Sequence, residues 1–336
     1  MNSKERCLAV IEGKPVDHPP VFPLLMFLSA DRLGVSYRQY ATDGHILAES
    51  QLKAYQTFGL DAITACSDAF RLAADLGGEM VYPEDHPPYL AQPLVTRMAD
   101  LARLKRPQVS RPGSRTADRA HAVQEMAQAV GNECLVLGWV DMPFAEACSF
   151  CGVSEFMLLL VDQPELAHAV LEFITPIVID FALMQLAAGA PMVGAGDAAA
   201  SLISARQFRE FALPYEQRVC AAIHQATGLV KLHICGKTTH LLQDMVQSGA
   251  DLFNVDHLVP LEEARRVYAS AGRAYKGNLN PVTDMLFATP EVCQQRALEC
   301  LRIAQGSAYM LSPGCEVPAA VTDEVFRAFC EAVTNL

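Results

Sequence analysis

The chain has 336 residues, of which 51% are hydrophobic and 19% charged, with a formal net charge of −12. Such a composition supplies a sizeable core and excludes an intrinsically disordered chain. The acidic balance excludes the concentrated basic face that nucleic acids and anionic membrane surfaces require. No run of about eighteen uninterrupted apolar residues occurs. The most apolar region, Ala169 to Ala190, contains Glu172, Pro176 and Asp180. Met1 to Cys7 lacks the apolar core and small-residue cleavage site of a signal peptide. Eleven cysteines, an odd number spread along the chain, suit a reducing compartment better than a disulfide framework. These features predict a soluble, cytoplasmic, metabolic protein with neither nucleic acid nor membrane as partner.

The first predicted element is a helix over Ser3–Glu12, capped by Ser3 and closed by Gly13. Pro15, Pro19 and Pro20 then break the chain, and weak strands are expected near Val21, Ala62 and Met80. Leu104 to Ala120 holds Pro107, Pro112, Gly113 and five basic residues, and reads as a surface loop leading into a helix over Asp118–Ala129. Clearer strands follow at Cys134–Val140, Pro191–Gly196, Leu229–Gly236, Asp251–Asp256, Arg273–Asn278 and Ala308–Pro313. Helical patterns separate them at Pro164–Ala188, Ala205–Gln225, Lys237–Ser248, Leu261–Ala271 and Pro290–Ala304. The alternation amounts to nearly eight βα units. It predicts an α/β fold, a TIM (β/α)8 barrel forming a single domain over residues 1–336 with an N-terminal helical extension. A doubly wound sheet needs a phosphate-binding turn. The one resemblance, Gly194 to Ala199, sits in mid-chain and places Asp197 where a pyrophosphate would approach.

Chemistry is concentrated at His233-Ile-Cys235-Gly236. Positions two apart in a strand share a face, so His233 and Cys235 project together toward the barrel mouth. Imidazole and thiolate both suit zinc, although a His and a Cys at this spacing also occur by chance, and buried cysteine is commonly a small apolar residue. Ser312-Pro-Gly-Cys315-Glu-Val-Pro318 follows the last predicted strand and sets Cys315 at another strand exit. One His and two Cys on a zinc ion would leave a fourth position for substrate.

These motifs carry a resemblance that spans nearly the whole chain. With Asp17-His-Pro-Pro-Val21, Ser204 to Tyr215, Val255-Asp256, Gly277-Asn-Leu-Asn-Pro281 and Ser312-Pro-Gly-Cys315, the sequence resembles the uroporphyrinogen decarboxylase superfamily. Within it, the chain is similar to the methylcobamide:coenzyme M methyltransferase branch of corrinoid-dependent methyltransferases. The resemblance implies a TIM barrel with Zn2+ on His233, Cys235 and Cys315. It also implies a corrinoid protein as separate methyl carrier, and a small-molecule methyl donor or thiol acceptor. Decarboxylases of the superfamily carry an arginine-rich segment after the first strand. Here that stretch, Phe22 to Ala30, contains no arginine. Porphyrinogen decarboxylation is the alternative reading, and a non-catalytic barrel that binds zinc or a corrinoid protein is a third.

No catalytic residue is singled out beyond the metal site. Asp197, Asp256 and Asn280 lie near predicted strand exits, where they either bind substrate or cap the helices that follow. Lys237 and Lys276 are candidates for an anionic substrate group, and Tyr215 for packing. Cys148 and Cys151 have C-x-x-C spacing but no second pair, and read as structural.

Overall fold

The computed structural model describes residues 1–334. Its strands in chain order are β1 (Ala62–Thr64), β2 (Met80–Val81), β3 (Tyr89–Leu90), β4 (Leu135–Asp141), β5 (Met192–Gly196), β6 (Leu229–His233), β7 (Leu252–Asn254), β8 (Ala274–Leu279) and β9 (Tyr309–Pro313). Seven of them form one parallel sheet in the order β1-β4-β5-β6-β7-β8-β9. Residues in β4, β5 and β9 are buried throughout, as parallel strands covered on both faces must be.

The eighth position of the barrel is filled by Pro20–Leu24. Phe22 N–H donates to Leu311 O at 2.9 Å and Leu311 N–H to Pro20 O at 2.8 Å, with parallel bridges Val21–Leu311 and Leu24–Glu316. On its other side Asp61 N–H donates to Val21 O at 2.9 Å, just before β1. The prolines around this segment remove donors and keep it short, so it closes the barrel without a full ladder. The strand expected at Met80 exists, but it pairs antiparallel with Tyr89–Leu90 in a hairpin outside the barrel.

The interior is layered. Ala62, Leu135, Leu137, Met192, Leu252, Ala274 and Met310 pack with Phe22 at the amino-terminal end, plugged by Cys7 and Val10. Those two side chains belong to the helix Ser3–Ile11, whose capping box uses Asn2 and Glu5 rather than Ser3. The opposite, carboxyl-terminal end of the strands is thereby left for chemistry.

The outer helices agree with the sequence pattern at Pro164–Ala187, Leu261–Ser270 and Pro290–Ala304. Pro164–Ala187 is long and apolar enough to cross a membrane. Its Leu166, Val170, Ile174, Val178 and Phe181 are instead buried in the protein core. The helix expected over Lys237–Ser248 contracts to Leu242–Val246, and Ala205–Gln225 is interrupted by a π-helical turn at Phe208–Ala212 before Pro214. Helices over Phe27–Leu33, Tyr37–Thr42, Gly44–Phe58, Pro143–Cys151 and Val153–Asp162 lie outside the predicted set.

Candidate metal centre

Inward positions on β6 alternate as Leu229, Lys231 and His233, and the same period carries the next inward position to Cys235 just past the strand end. Register places Asp141, Gly196, His233 and Asn254 side by side at the exits of β4 to β7. Cys315 arrives from the loop after β9. Gly314 makes its approach possible: a Cβ there would stand 2.4 Å from His257 N, so only glycine lets the loop lie against that backbone.

Three donor atoms converge. Cys235 Sγ is 2.8 Å from His233 Nε2, the two Sγ atoms are 3.5 Å apart, and Cys315 Sγ is 3.7 Å from His233 Nε2. His233 is buried and both cysteines are half-buried. His233 Nδ1 faces Asn254 O at 3.4 Å, which puts the ring N–H on Nδ1 and leaves the Nε2 lone pair aimed at the sulfurs. Asn254 Nδ2 donates to Gly314 O at 3.4 Å, tying the Cys315 loop to β7.

The donor set fits a soft divalent cation. Ligands of a tetrahedral zinc stand about 3.5–3.8 Å apart. The Sγ–Sγ and Cys315–His233 separations match that spacing, whereas Cys235 and His233 are closer, as hydrogen-bonded partners are. The close contact with Cys235 holds the Cys315 thiol down at about 3, while that same contact and burial push Cys235 well up. A metal ion held there would favour the ionised form of both sulfurs.

The centre opens into a cavity of about 510 Å³ walled by Leu24, Met26, Phe70, Ala145, Ala199 and Leu202, with Trp139 across it. The indole lies over Gly194, where a Cβ would approach the ring to 2.5 Å, so glycine there is the bed of the ring. Lys231 Nζ stands 4.4 Å from the Trp139 ring centroid, and burial pushes its ammonium down to about 8. Three carboxyl side chains also face the cavity: Asp68, Asp141 and Glu316. Arg115 clasps Asp68 at 2.9 and 2.7 Å, and Arg71 bonds Asp141, whose carboxyl burial raises to about 6 against the pull of that arginine. Glu316 Oε1 accepts from the Met26 and Phe27 N–H groups at 2.8 and 2.7 Å.

The remaining sequence candidates distribute as follows. Asp197 is fully buried behind the centre; its N–H donates to His233 O at 2.8 Å, and its carboxyl faces that of Glu216. None of the four carboxyl oxygens has a hydrogen-bond partner among the described residues, and burial raises Asp197 to about 7 and Glu216 well up. Asp256 is buried and accepts from Leu258 N–H at 2.9 Å. Asn280 caps the turn Pro281–Leu286 through Val282 and Thr283 N–H, in a separate groove with Asn278, Asp284, Arg296 and Glu299. Tyr215 packs against His168, which it meets at 2.9 Å. Lys276 is buried on Phe22 O and Ser312 Oγ, and Lys237 is exposed outside the cavity lining. Cys148 and Cys151 are buried in the helix Pro143–Cys151, with Cys148 at the cavity wall. Trp139, Asp68 and Glu316 escaped the sequence reading, although Glu316 directly follows Cys315. A larger cleft, of about 970 Å³, opens at the opposite end of the barrel and gathers no such donor set among the described residues.

Comparison with known proteins agrees with this architecture. The sequence model of the family described as Uroporphyrinogen decarboxylase (URO-D) matches residues 2–336. A uroporphyrinogen decarboxylase of Crocosphaera subtropica is 27% identical over 356 residues, covering 100% of this chain and 97% of that protein. A methylated-thiol–coenzyme M methyltransferase of Methanosarcina mazei is 28% identical over 338 residues, covering 99% of this chain and 89% of that protein. A solved methyltransferase structure from Methanosarcina mazei superposes with a TM-score of 0.85 at 22% identity, covering 100% of this chain and 99% of that one.

Proposed function

This chain belongs to the uroporphyrinogen decarboxylase family, and within it we propose that the single domain, residues 1–336, is a zinc-dependent methyltransferase. It moves a methyl group between a methylcobamide carried by a separate corrinoid protein and a thiol or other small-molecule methyl donor or acceptor, in the cytoplasm. One observation carries the reading: an imidazole nitrogen and two sulfurs, from segments 80 positions apart, lie within 4.8 Å of one another at the barrel mouth.

In this reading His233, Cys235 and Cys315 hold the metal. Zinc held there would supply Lewis-acid activation of a thiol sulfur, and the two cysteine sulfurs would balance the charge of the ion. Asn254 fixes the tautomer and tilt of His233. Asp197 is a positioning residue through its backbone bond to His233, and Asp256 and Asn280 shape the rim loops. The apolar cavity wall excludes water from the reacting sulfur.

Decarboxylation is the second reading, favoured by the name that relatives such as the Crocosphaera subtropica protein carry. The barrel-closing segment weighs against it, since Leu24 and Met26 present apolar side chains to the cavity where a polycarboxylate would need cations. Metal analysis of the purified protein is expected to give one zinc per chain, and methylcobalamin with a thiol is expected to give the methyl thioether. A metal-free protein that turns over uroporphyrinogen would overturn the proposal.

A further inference from the structure

Among the described residues, no lysine or arginine lines the cavity beside the His233–Cys235–Cys315 cluster. The basic side chains near it all lie outside the lining. Arg115 and Arg71 sit behind Asp68 and Asp141, so an entering molecule meets the carboxylates first. Lys276 is bound to Phe22 O and Ser312 Oγ, at 2.6 and 3.1 Å. Lys231 has the Trp139 indole against its ammonium, which is 4.4 Å from the ring centroid, and Lys237 stands exposed outside the lining. An organic anion would therefore lose its hydration with no cation among the described lining residues to replace it.

A cationic molecule fares little better. The carboxylates of Asp68 and Asp141 are neutralised by their arginines, and Glu316 Oε1 is taken by two backbone N–H groups. What the wall offers freely is apolar surface from Leu24, Phe70, Trp139 and Leu202, plus one buried oxygen without a protein partner, Glu316 Oε2. That oxygen suits a single hydroxyl or amide on an otherwise apolar body.

We propose that the small molecule taken at this centre is uncharged, with an apolar alkyl or aryl body, and that sulfonates, carboxylates and phosphates are discriminated against by the cavity wall. The proposal rests on the methyl-transfer reading, which identifies this cavity as the place where the small molecule meets the metal ligands.

The test uses the full-length protein substituted with cobalt(II), whose thiolate charge-transfer absorption reports ligand binding directly. It is titrated with 1-propanethiol, 2-mercaptoethanesulfonate and 2-aminoethanethiol, each affinity being corrected for the thiol's own ionisation. Propanethiol is expected to bind at least tenfold more tightly than the sulfonate, with the ammonium thiol also weaker than propanethiol. Leu202→Arg places a cation on the exposed rim of the cavity, away from the metal ligands. It is expected to tighten the sulfonate at least fivefold and leave propanethiol within twofold. A charged thiol that binds the unmodified protein as tightly as propanethiol overturns the proposal. So does a weak sulfonate that Leu202→Arg leaves unmoved. If the ranking holds at cobalt but the zinc protein moves no methyl group from methylcobalamin to any of these thiols, the methyltransferase reading falls while the charge preference stands. Absence of a spectral change with all three thiols overturns both.

Discussion

Two exits from the same parallel sheet use polar residues in opposite ways. At the exit of β8, Asn280 accepts from two backbone N–H groups, Asp284 accepts from Asn280 N–H, and Arg296 pairs with Glu299. Around the metal-centre end of the sheet, by contrast, Asp197 and Glu216 lack any donor among the described residues, Asn254 Oδ1 and Glu316 Oε2 are unpartnered, and Arg71 leaves Nε and Nη1 unbonded. A buried polar group without a partner costs stability. Such groups are candidates for a role other than stability, whereas the satisfied β8 exit stabilises a turn.

The sharpest way to break this contrast is to remove a metal ligand. Cys315→Ser and His233→Ala are each expected to abolish stoichiometric zinc and to reduce methyl transfer by more than about a hundredfold, the ceiling for changes outside the ligand shell. Far-UV circular dichroism should be unchanged; retained zinc in both variants would remove the basis for treating the two exits differently. Trp139→Ala is expected to cost about 3–5 kcal/mol in denaturant unfolding, because the indole bed over Gly194 becomes a void. A cost below about 1 kcal/mol would mean that the ring is not packed there.

A pH-dependent effect sharpens the contrast further. Burial raises the folded-state pKa of both Asp197 and Glu216, so the folded protein retains protons that the unfolded chain releases. Their contribution to stability is full below about pH 4 and is lost as the pH climbs toward about 7. Glu216→Gln should therefore flatten that part of the Tm profile, and parallel profiles for the two proteins would refute the raised pKa of Glu216. The smallest expected effect is at the other exit. Asn280→Ala should cost about 1 kcal/mol, as loss of a cap does, with zinc content unaltered.

The barrel and the convergence of His233, Cys235 and Cys315 were legible in the sequence for a physical reason. Long central strands bounded by turn residues announce themselves by periodicity, and a two-residue spacing on a strand fixes which side chains share a face. The first 100 or so residues were harder. Short helices such as Tyr37–Thr42 and a closing segment held by two bridges lack a sustained period, and Met80–Val81 proved to be part of a hairpin. The cavity wall was illegible for another reason. Trp139, Asp68 and Leu24 come from three different strand exits, and no local spacing reveals that they share a space. Asp197 shows the limit most clearly, since its sequence position gives the strand exit but not its burial against Glu216.

The way the barrel closes has a further consequence. Pro20–Leu24 joins β9 through few hydrogen bonds, which makes this join a weak line along which the cylinder can part. Cys315 hangs from β9, and its partners hang from β6 on the far side of the sheet. An ion gripped by all three would act as a rivet across the cylinder, restraining the strand that borders the weak join. Metal occupancy and resistance to opening thus become two readouts of one equilibrium, and amide exchange at Phe22 and Leu311 should slow as the ion is titrated in.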